Sequence, residues 1–150
     1  MIRIVPDTNI WISAILSPGG PAAVVFMKVI DGDYKLLTSP MIIEEIQRVL
    51  RYPKILKNLE KNKIPLSKIE LYIKKTLALA EIFEDSDIPK VISDDASDNM
   101  ILACARAGSA DFIISGDHHL TALGSYEGIP IVNPSHFESI ISRNIFLRDP

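Results

Sequence analysis

Four acidic side chains, Asp7, Glu45, Asp98 and Asp117, stand at positions from which they can do chemistry together. Asp7 follows the β-branched run Ile2 to Val5, closed by Pro6, and Asp117 follows the apolar run Phe112 to Ser115. Both runs read as buried strands. Ligands of open α/β sheets sit beyond the carboxyl ends of parallel strands, so two acids at such ends can share one crevice. The other two acids come from helices. On a helix expected from about Met41 to Arg51 the apolar stripe is Ile42, Ile46 and Val49, and Glu45 lies three after the first and four before the last. It therefore faces inward. Glu44 falls on the opposite side, four before Arg48, as one half of an ordinary exposed ion pair. Asp98 precedes Ile101 by three and Leu102 by four, which puts it at the start of an inward helix face.

Each acid also has a plain structural reading. Asp7 can cap a helix, Asp98 can be a first-turn acid behind a cap at Asp95, Asp117 can be a turn residue, and Glu45 can reach to the rim. Convergence is what separates the two readings. Two carboxylates about 4 Å apart repel by roughly 4 kcal/mol at an effective dielectric near 20, so four together must take up protons or hold a cation. The donors are hard oxygens, with no Cys-x-x-Cys or His-x-x-x-His spacing beside them. That chemistry favours Mg²⁺ or Mn²⁺ over zinc and suits in-line attack of water on a phosphodiester.

The elements that must position these acids follow from the spacing of apolar residues and breakers. Asp7-Thr8-Asn9 supplies caps before Ile10-Trp11-Ile12, Ser17-Pro18-Gly19-Gly20-Pro21 breaks the chain, and Pro21 opens a helix through Ile30. Tyr34 to Leu37 is a strand, Ser39-Pro40 caps and opens the helix that carries Glu45, and Pro53 interrupts before a short helix at Ile55 to Lys61. Ser67-Lys68-Ile69-Glu70 reads as a capping box for the next helix, Ile82-Phe83 as a short strand, and Gly108 as the stop of the Asp98 helix. Ile129 to Val132 is a further strand, and Asn133 or Ser135 caps a final short helix. Strands alternating with helices predict one domain over residues 1–150: a three-layer α/β/α sandwich around a mostly parallel central sheet.

Composition bounds the rest. The 150 residues hold 16 Lys+Arg and 19 Asp+Glu, a formal charge of −3 that by itself disfavours a nucleic-acid partner. Its distribution says otherwise. From Arg48 to Lys75 nine basic residues meet two acidic ones, a segment of +7 beside a remainder of −10. Such clustering is either a solvated helix face or a polyanion surface; Arg48, Arg51 and Lys54, following Glu45 most closely, are the candidates to hold a nucleic-acid strand. The longest apolar runs, Ala22 to Met27 and Met100 to Ala105, have six residues each, far short of the roughly 18 of a membrane span. A single Cys104 forms no disulfide within the chain, which fits a reducing cytoplasm. Trp11 and Phe26 read as core, with base stacking or a dimer contact as the alternative; Cys104 reads as core and His136 as a capping or surface residue. His118-His119 read as rim residues with the option of contacting phosphate or serving as a general acid.

Four segments in order resemble the PIN-domain nucleases, a family that includes the toxin ribonucleases of type II toxin–antitoxin modules. Val5-Pro6-Asp7-Thr8-Asn9-Ile10 is similar to its opening signature, and Ser39-Pro40-Met41-Ile42-Ile43-Glu44-Glu45-Ile46 to its Ser-Pro helix. Asp94-Asp95-Ala96-Ser97-Asp98-Asn99 resembles the segment of the third acid, with two extra carboxylates beside it. Ile114-Ser115-Gly116-Asp117 resembles the closing Thr/Ser-Gly-Asp element, with Ser where Thr is common. The resemblance implies a metal-dependent endoribonuclease of single-stranded RNA that forms a homodimer and pairs with an antitoxin protein. It also implies that Asn9 and Ser115 are supporting polar groups around the four acids. The competing expectation is a catalytically silent module that binds RNA or an antitoxin through a vestigial acidic cluster. A receiver domain or phosphatase is disfavoured, because no adjacent Asp pair or Asp-x-Asp-x-Thr follows the first strand.

Overall fold

A computed structural model describes residues 1–85, 88–89, 91 and 96–148, with side chains as far as residue 143. The elements in chain order are β1 (Ile2–Pro6), α1 (Thr8–Leu16), α2 (Pro21–Ile30), β2 (Tyr34–Thr38), α3 (Pro40–Val49), α4 (Pro53–Lys61) and α5 (Leu66–Ala78). They continue with β3 (Glu81–Ile82), α6 (Ala96–Ala107), β4 (Phe112–Ile114), α7 (His118–Leu123), β5 (Ser125–Tyr126), β6 (Ile129–Val132) and α8 (Pro134–Arg148).

The described strands form one sheet in the order β3-β2-β1-β4-β6-β5. Neighbours from β3 to β6 are parallel, and only the β5–β6 edge pair is antiparallel. The chain runs outward from β1 through β2 to β3, then returns to the other side of β1 for β4 and β6. That reversal creates a switch point between β1 and β4, paired at Pro6 and Ile114. Right-handed crossovers put the outward connections over one face of the sheet and the returning ones over the other, giving the expected α/β/α layering.

The central strands are apolar on both faces, as a sheet covered twice requires. Ile4, Val5, Leu36, Leu37, Ile113 and Ile114 have no exposed surface, and each such side chain contributes about 1.5–3 kcal/mol of burial. Trp11 of α1 and Phe26 of α2 are also fully buried, their ring centroids 4.7 Å apart. They are core residues and cannot meet a base. On the far side of α2, Lys28 pairs with Glu138 at 2.5 Å, Tyr34 donates its hydroxyl to the same carboxylate at 3.3 Å, and Phe137 packs edge-on against Tyr34 and Phe112. These contacts dock α8. At the end of α6, a β-carbon on Gly108 would stand 2.8 Å from Phe83 and 2.9 Å from Leu37; only glycine lets the helix end this close to β2.

Several expectations are corrected. Helix α5 begins at Leu66 with Pro65 as its uncapped entry, so Ser67 lies inside the first turn and makes no capping box. Proline cannot donate, and it fixes the start two residues earlier than the serine signal suggested. The final helix is not short but runs for 15 residues. Strand β5 is unheralded because its two residues carry no periodicity. The expected cap at Asp95 and the neighbouring Asp94 lie outside the described residues. Among the described residues, no single helix is long and apolar enough to cross a membrane; α1 and α2 together qualify by composition but meet at 97° and supply the core.

Candidate active site

The four acids line one small cavity of about 90 Å³, together with Thr8, Asn9, Ser97 and Ile101. Asp7 is placed by β1 and by the first turn of α1. Its backbone N–H donates to the carbonyl of Ile114 on β4 at 2.9 Å, tying the two strand ends together. Its side chain does two things at once. Oδ1 accepts from the Ile10 backbone N–H at 2.9 Å, capping α1, and Oδ2 accepts from the hydroxyl of Ser115. The capping reading and the cavity reading therefore describe the same side chain. Asp7 is 4% exposed, and its carboxyl is pushed up to about 6, first by burial and further by the nearby charge of Asp117; the bonds from Ser115 and Ile10 oppose that rise.

Ser115 joins the two strand-end acids. Its hydroxyl donates to Asp7 and accepts the backbone N–H of Asp117 at 2.9 Å, so its one proton and one lone pair have fixed directions. The serine is wholly buried. Asp117 caps α7, taking the His119 backbone N–H at 2.7 Å on Oδ1. The imidazoles of His118 and His119 are exposed at the start of that helix and are not among the lining residues.

Glu45 and Asp98 approach from the helices. The start of α3 is held by two side-chain acceptors, Ser39 Oγ for Ile42 N–H at 3.4 Å and Asp85 Oδ2 for Met41 N–H at 2.9 Å. With Ile42 and Ile46 buried beneath it, α3 turns Glu45 toward the cavity, its side chain 12% exposed. Glu44 is exposed. The ion pair expected between Glu44 and Arg48 forms instead between Glu45 and Arg48. Both spacings permit a pair on a helix, and the more buried carboxylate gains more from the guanidinium. Asp98 is 5% exposed on α6, a helix buried nearly all round from Asp98 to Ala105.

Of the supporting residues, Asn9 is exposed and lines the cavity, whereas Ser115 lies beneath it. Arg48 stands at the cavity through Glu45. Arg51 and Lys54 are exposed near the junction of α3 and α4 and do not line it. Sequence reasoning missed Thr8 and Ser97 as wall residues. Their positions beside Asp7 and Asp98 were the available signal.

The donor set suits a hard divalent cation: four carboxylates around one polar pocket, two of them, Asp7 and Asp98, buried, and Asp7 resisting ionisation. As placed, no three acidic, histidine or cysteine side chains among the described residues are drawn into a ready coordination group. The chemistry of these side chains fits the ion.

A search of curated proteins found no match. Among solved structures, PAE2754 from Pyrobaculum aerophilum has a TM-score of 0.58 at 14% identity, covering 95% of this chain and 90% of its own. VapBC2 from Rickettsia felis, bound to a DNA fragment from their promoter, has a TM-score of 0.58 at 14% identity over 88% of this chain and 98% of its own. FitAcB from Neisseria gonorrhoeae has a TM-score of 0.51 at 18% identity, covering 89% and 99%. At these identities the likeness speaks to fold. A family model of the PIN domain matches residues 3–119, which include all four acids. PIN domains are nucleases that generally use divalent metal ions, and this chain belongs to the PIN-domain family.

Proposed function

We propose that this protein is an endoribonuclease that cleaves single-stranded RNA with Mg²⁺ or Mn²⁺, and that it acts as the toxin of a toxin–antitoxin pair. The carrying observation is the gathering of Asp7, Glu45, Asp98 and Asp117 around one cavity at the carboxyl ends of β1 and β4. These four carboxylates would hold the cation. When bound, it supplies the positive charge that activates a water and stabilises the leaving oxygen of the phosphodiester. The chain's own residues do the rest. Ser115 fixes the rotamer of Asp7 and the backbone of Asp117, so the two strand-end acids face the cavity without searching for position. Asp7, with its carboxyl near 6, is ionised at neutral pH and ready to accept a hydrogen bond from water or to share the ion. Asn9 adds a neutral polar group at the mouth.

The nine basic residues from Arg48 to Lys75 are all exposed and run from the last turn of α3 through α5, with Lys68 on the wall of a separate apolar concavity. They offer phosphate contacts, with Arg48, Arg51 and Lys54 nearest the acids in sequence. The toxin role is supported by the likeness in fold to VapBC2 and FitAcB, which belong to toxin–antitoxin systems. A homodimer and an antitoxin partner belong to the same reading, as does a cytoplasmic location, with which the lone buried Cys104 agrees.

The test is cleavage of a single-stranded RNA by the purified protein with Mn²⁺, beside Asp98→Asn and Asp117→Asn. Each substitution should lower the rate by about two to three orders of magnitude, the scale of losing one preorganised electrostatic group. RNA that is bound in a salt-dependent way but never cut, with or without metal, would replace this reading by the silent binding module.

A further inference from the structure

The Glu45–Arg48 ion pair joins two environments. The Glu45 side chain is 12% exposed and lines the acidic cavity, whereas the Arg48 side chain is 61% exposed at its edge. An ordinary surface pair on a helix has both ends in water and contributes little. This one has an inward carboxylate, set by the Ile42 and Ile46 stripe, facing a pocket that holds three other carboxyl groups. A charge so placed is costly without a counter-charge. Asp7 and Asp117 are met by neutral donors, a hydroxyl and backbone N–H groups. Glu45 is met by a full cation.

We propose that Arg48 is a displaceable counter-cation of the acidic cavity, holding Glu45 while no divalent ion is bound and releasing it when one arrives. The inference rests on the cation-dependent reading above. A guanidinium and a divalent ion draw on the same single negative charge and repel each other across it, so the two compete for Glu45. Arg48 is well suited to leave, because most of its side chain already lies in water and its departure buries nothing. Once released it stands at the mouth of the cavity, where its planar fork matches a phosphate. Arrival of the ion would thus free a phosphate-binding group at the place where the RNA backbone must pass. The pair gives the metal-free protein a closed, partly neutralised site, and the loaded protein an open, substrate-binding one.

Calorimetric titration with Mn²⁺ alone separates this role from a merely structural one. Arg48→Gln should bind Mn²⁺ roughly threefold to tenfold more tightly than the wild type, the range between an exposed and a half-buried ion pair. Arg48→Lys, a weaker partner for a carboxylate, should fall between them. In an Glu45→Gln background the gain from Arg48→Gln should vanish, because the contested oxygen has lost its charge. Without metal, Arg48→Gln should melt at a lower temperature than the wild type, and Mn²⁺ should close the gap. With Mn²⁺ present, it should bind RNA with a salt dependence shallower by about one phosphate contact. Equal or weaker Mn²⁺ binding by Arg48→Gln, or a gain that persists with Glu45→Gln, would overturn the inference and leave the nuclease reading standing. No Mn²⁺ binding by the wild type would overturn both.

Discussion

Two concavities in this molecule differ in almost every respect. The larger, about 400 Å³, lies between α1, α2 and α5 and is walled by residues such as Ala14, Ile15, Ala23, Met27, Ile64 and Tyr72. The smaller, about 90 Å³, has four carboxylates around it. The large one arises because three helical faces meet imperfectly over the core, and apolar walls impose no fixed positions on anything within. The small one arises where strands end, and its walls are fixed by directed bonds: Ser115 to Asp7, Asp117 N–H to Ser115, Asp7 N–H to Ile114. Volume measures how badly surfaces fit. Chemistry follows from how firmly polar groups are aimed against their own electrostatic preference, which is a cost only a function repays.

That contrast can be broken most sharply at Asp7. Its folded-state carboxyl titrates near 6 against an ordinary 3.8, so between those values the folded metal-free protein holds a proton that the unfolded chain has released. Stability should fall as pH rises through that window and level off above about 6. Asp7→Asn should remove the dependence and raise metal-free stability at pH 7 by about 2 kcal/mol in urea melts while abolishing cleavage. A less stable variant with an unchanged pH profile would mean that the acids do not burden the fold.

A smaller effect is expected at the hydroxyl that joins the strand ends. Ser115→Ala should cost about 1–2 kcal/mol, since it strands the Asp117 N–H and deprives Asp7 of a donor. The Asp7 carboxyl should then titrate still higher, because the serine's bond is what lowers it. Ser115→Thr should retain both properties, and an alanine variant indistinguishable from it would remove the serine from the account. Least of all should happen in the apolar concavity. Met27 is 55% exposed, and Met27→Glu should change stability by no more than about 0.5 kcal/mol. Mn²⁺ affinity and RNA cleavage should be unaltered. If cleavage fell with Met27→Glu, the two concavities would not be independent.

Different parts of the site were legible for different reasons. Asp7 and Asp117 could be found because a β-branched run ending in an acid fixes both the strand and the position of its end. Glu45 could be told from Glu44 because the 3.6-residue period of α3 has one apolar side. The choice of Arg48 between them could not be read, since three- and four-residue spacings both reach and only the difference in burial decides. Ser115 was visible as a supporting hydroxyl through resemblance alone; that one oxygen serves both acids depends on β1 and β4 being neighbours, which no local pattern states. Element existence followed from periodicity, while the start of α5 and the two residues of β5 depended on weak end signals. The competing expectations for the basic segment were settled only as far as exposure: all nine residues face solvent.

The order of the strands has a further consequence for how such a protein can change. Three of the four acids, Asp7, Asp98 and Asp117, come from outside the chain between β2 and β3, whereas the whole basic segment lies within it. That excursion leaves from β2 and returns to β3, a two-residue strand on the outer edge of the sheet, paired through Leu37–Glu81 and Thr38–Ile82 and extended by the Phe83 N–H, which donates to the Thr38 carbonyl. Beyond Val49 it packs on the core through Leu50, Leu59 and Ile69, so its exposed positions are the ones that can be recharged without moving the strand ends that hold the acids. Surface charge beyond Val49 can therefore vary between members of the family while the pocket of the four acids keeps its walls.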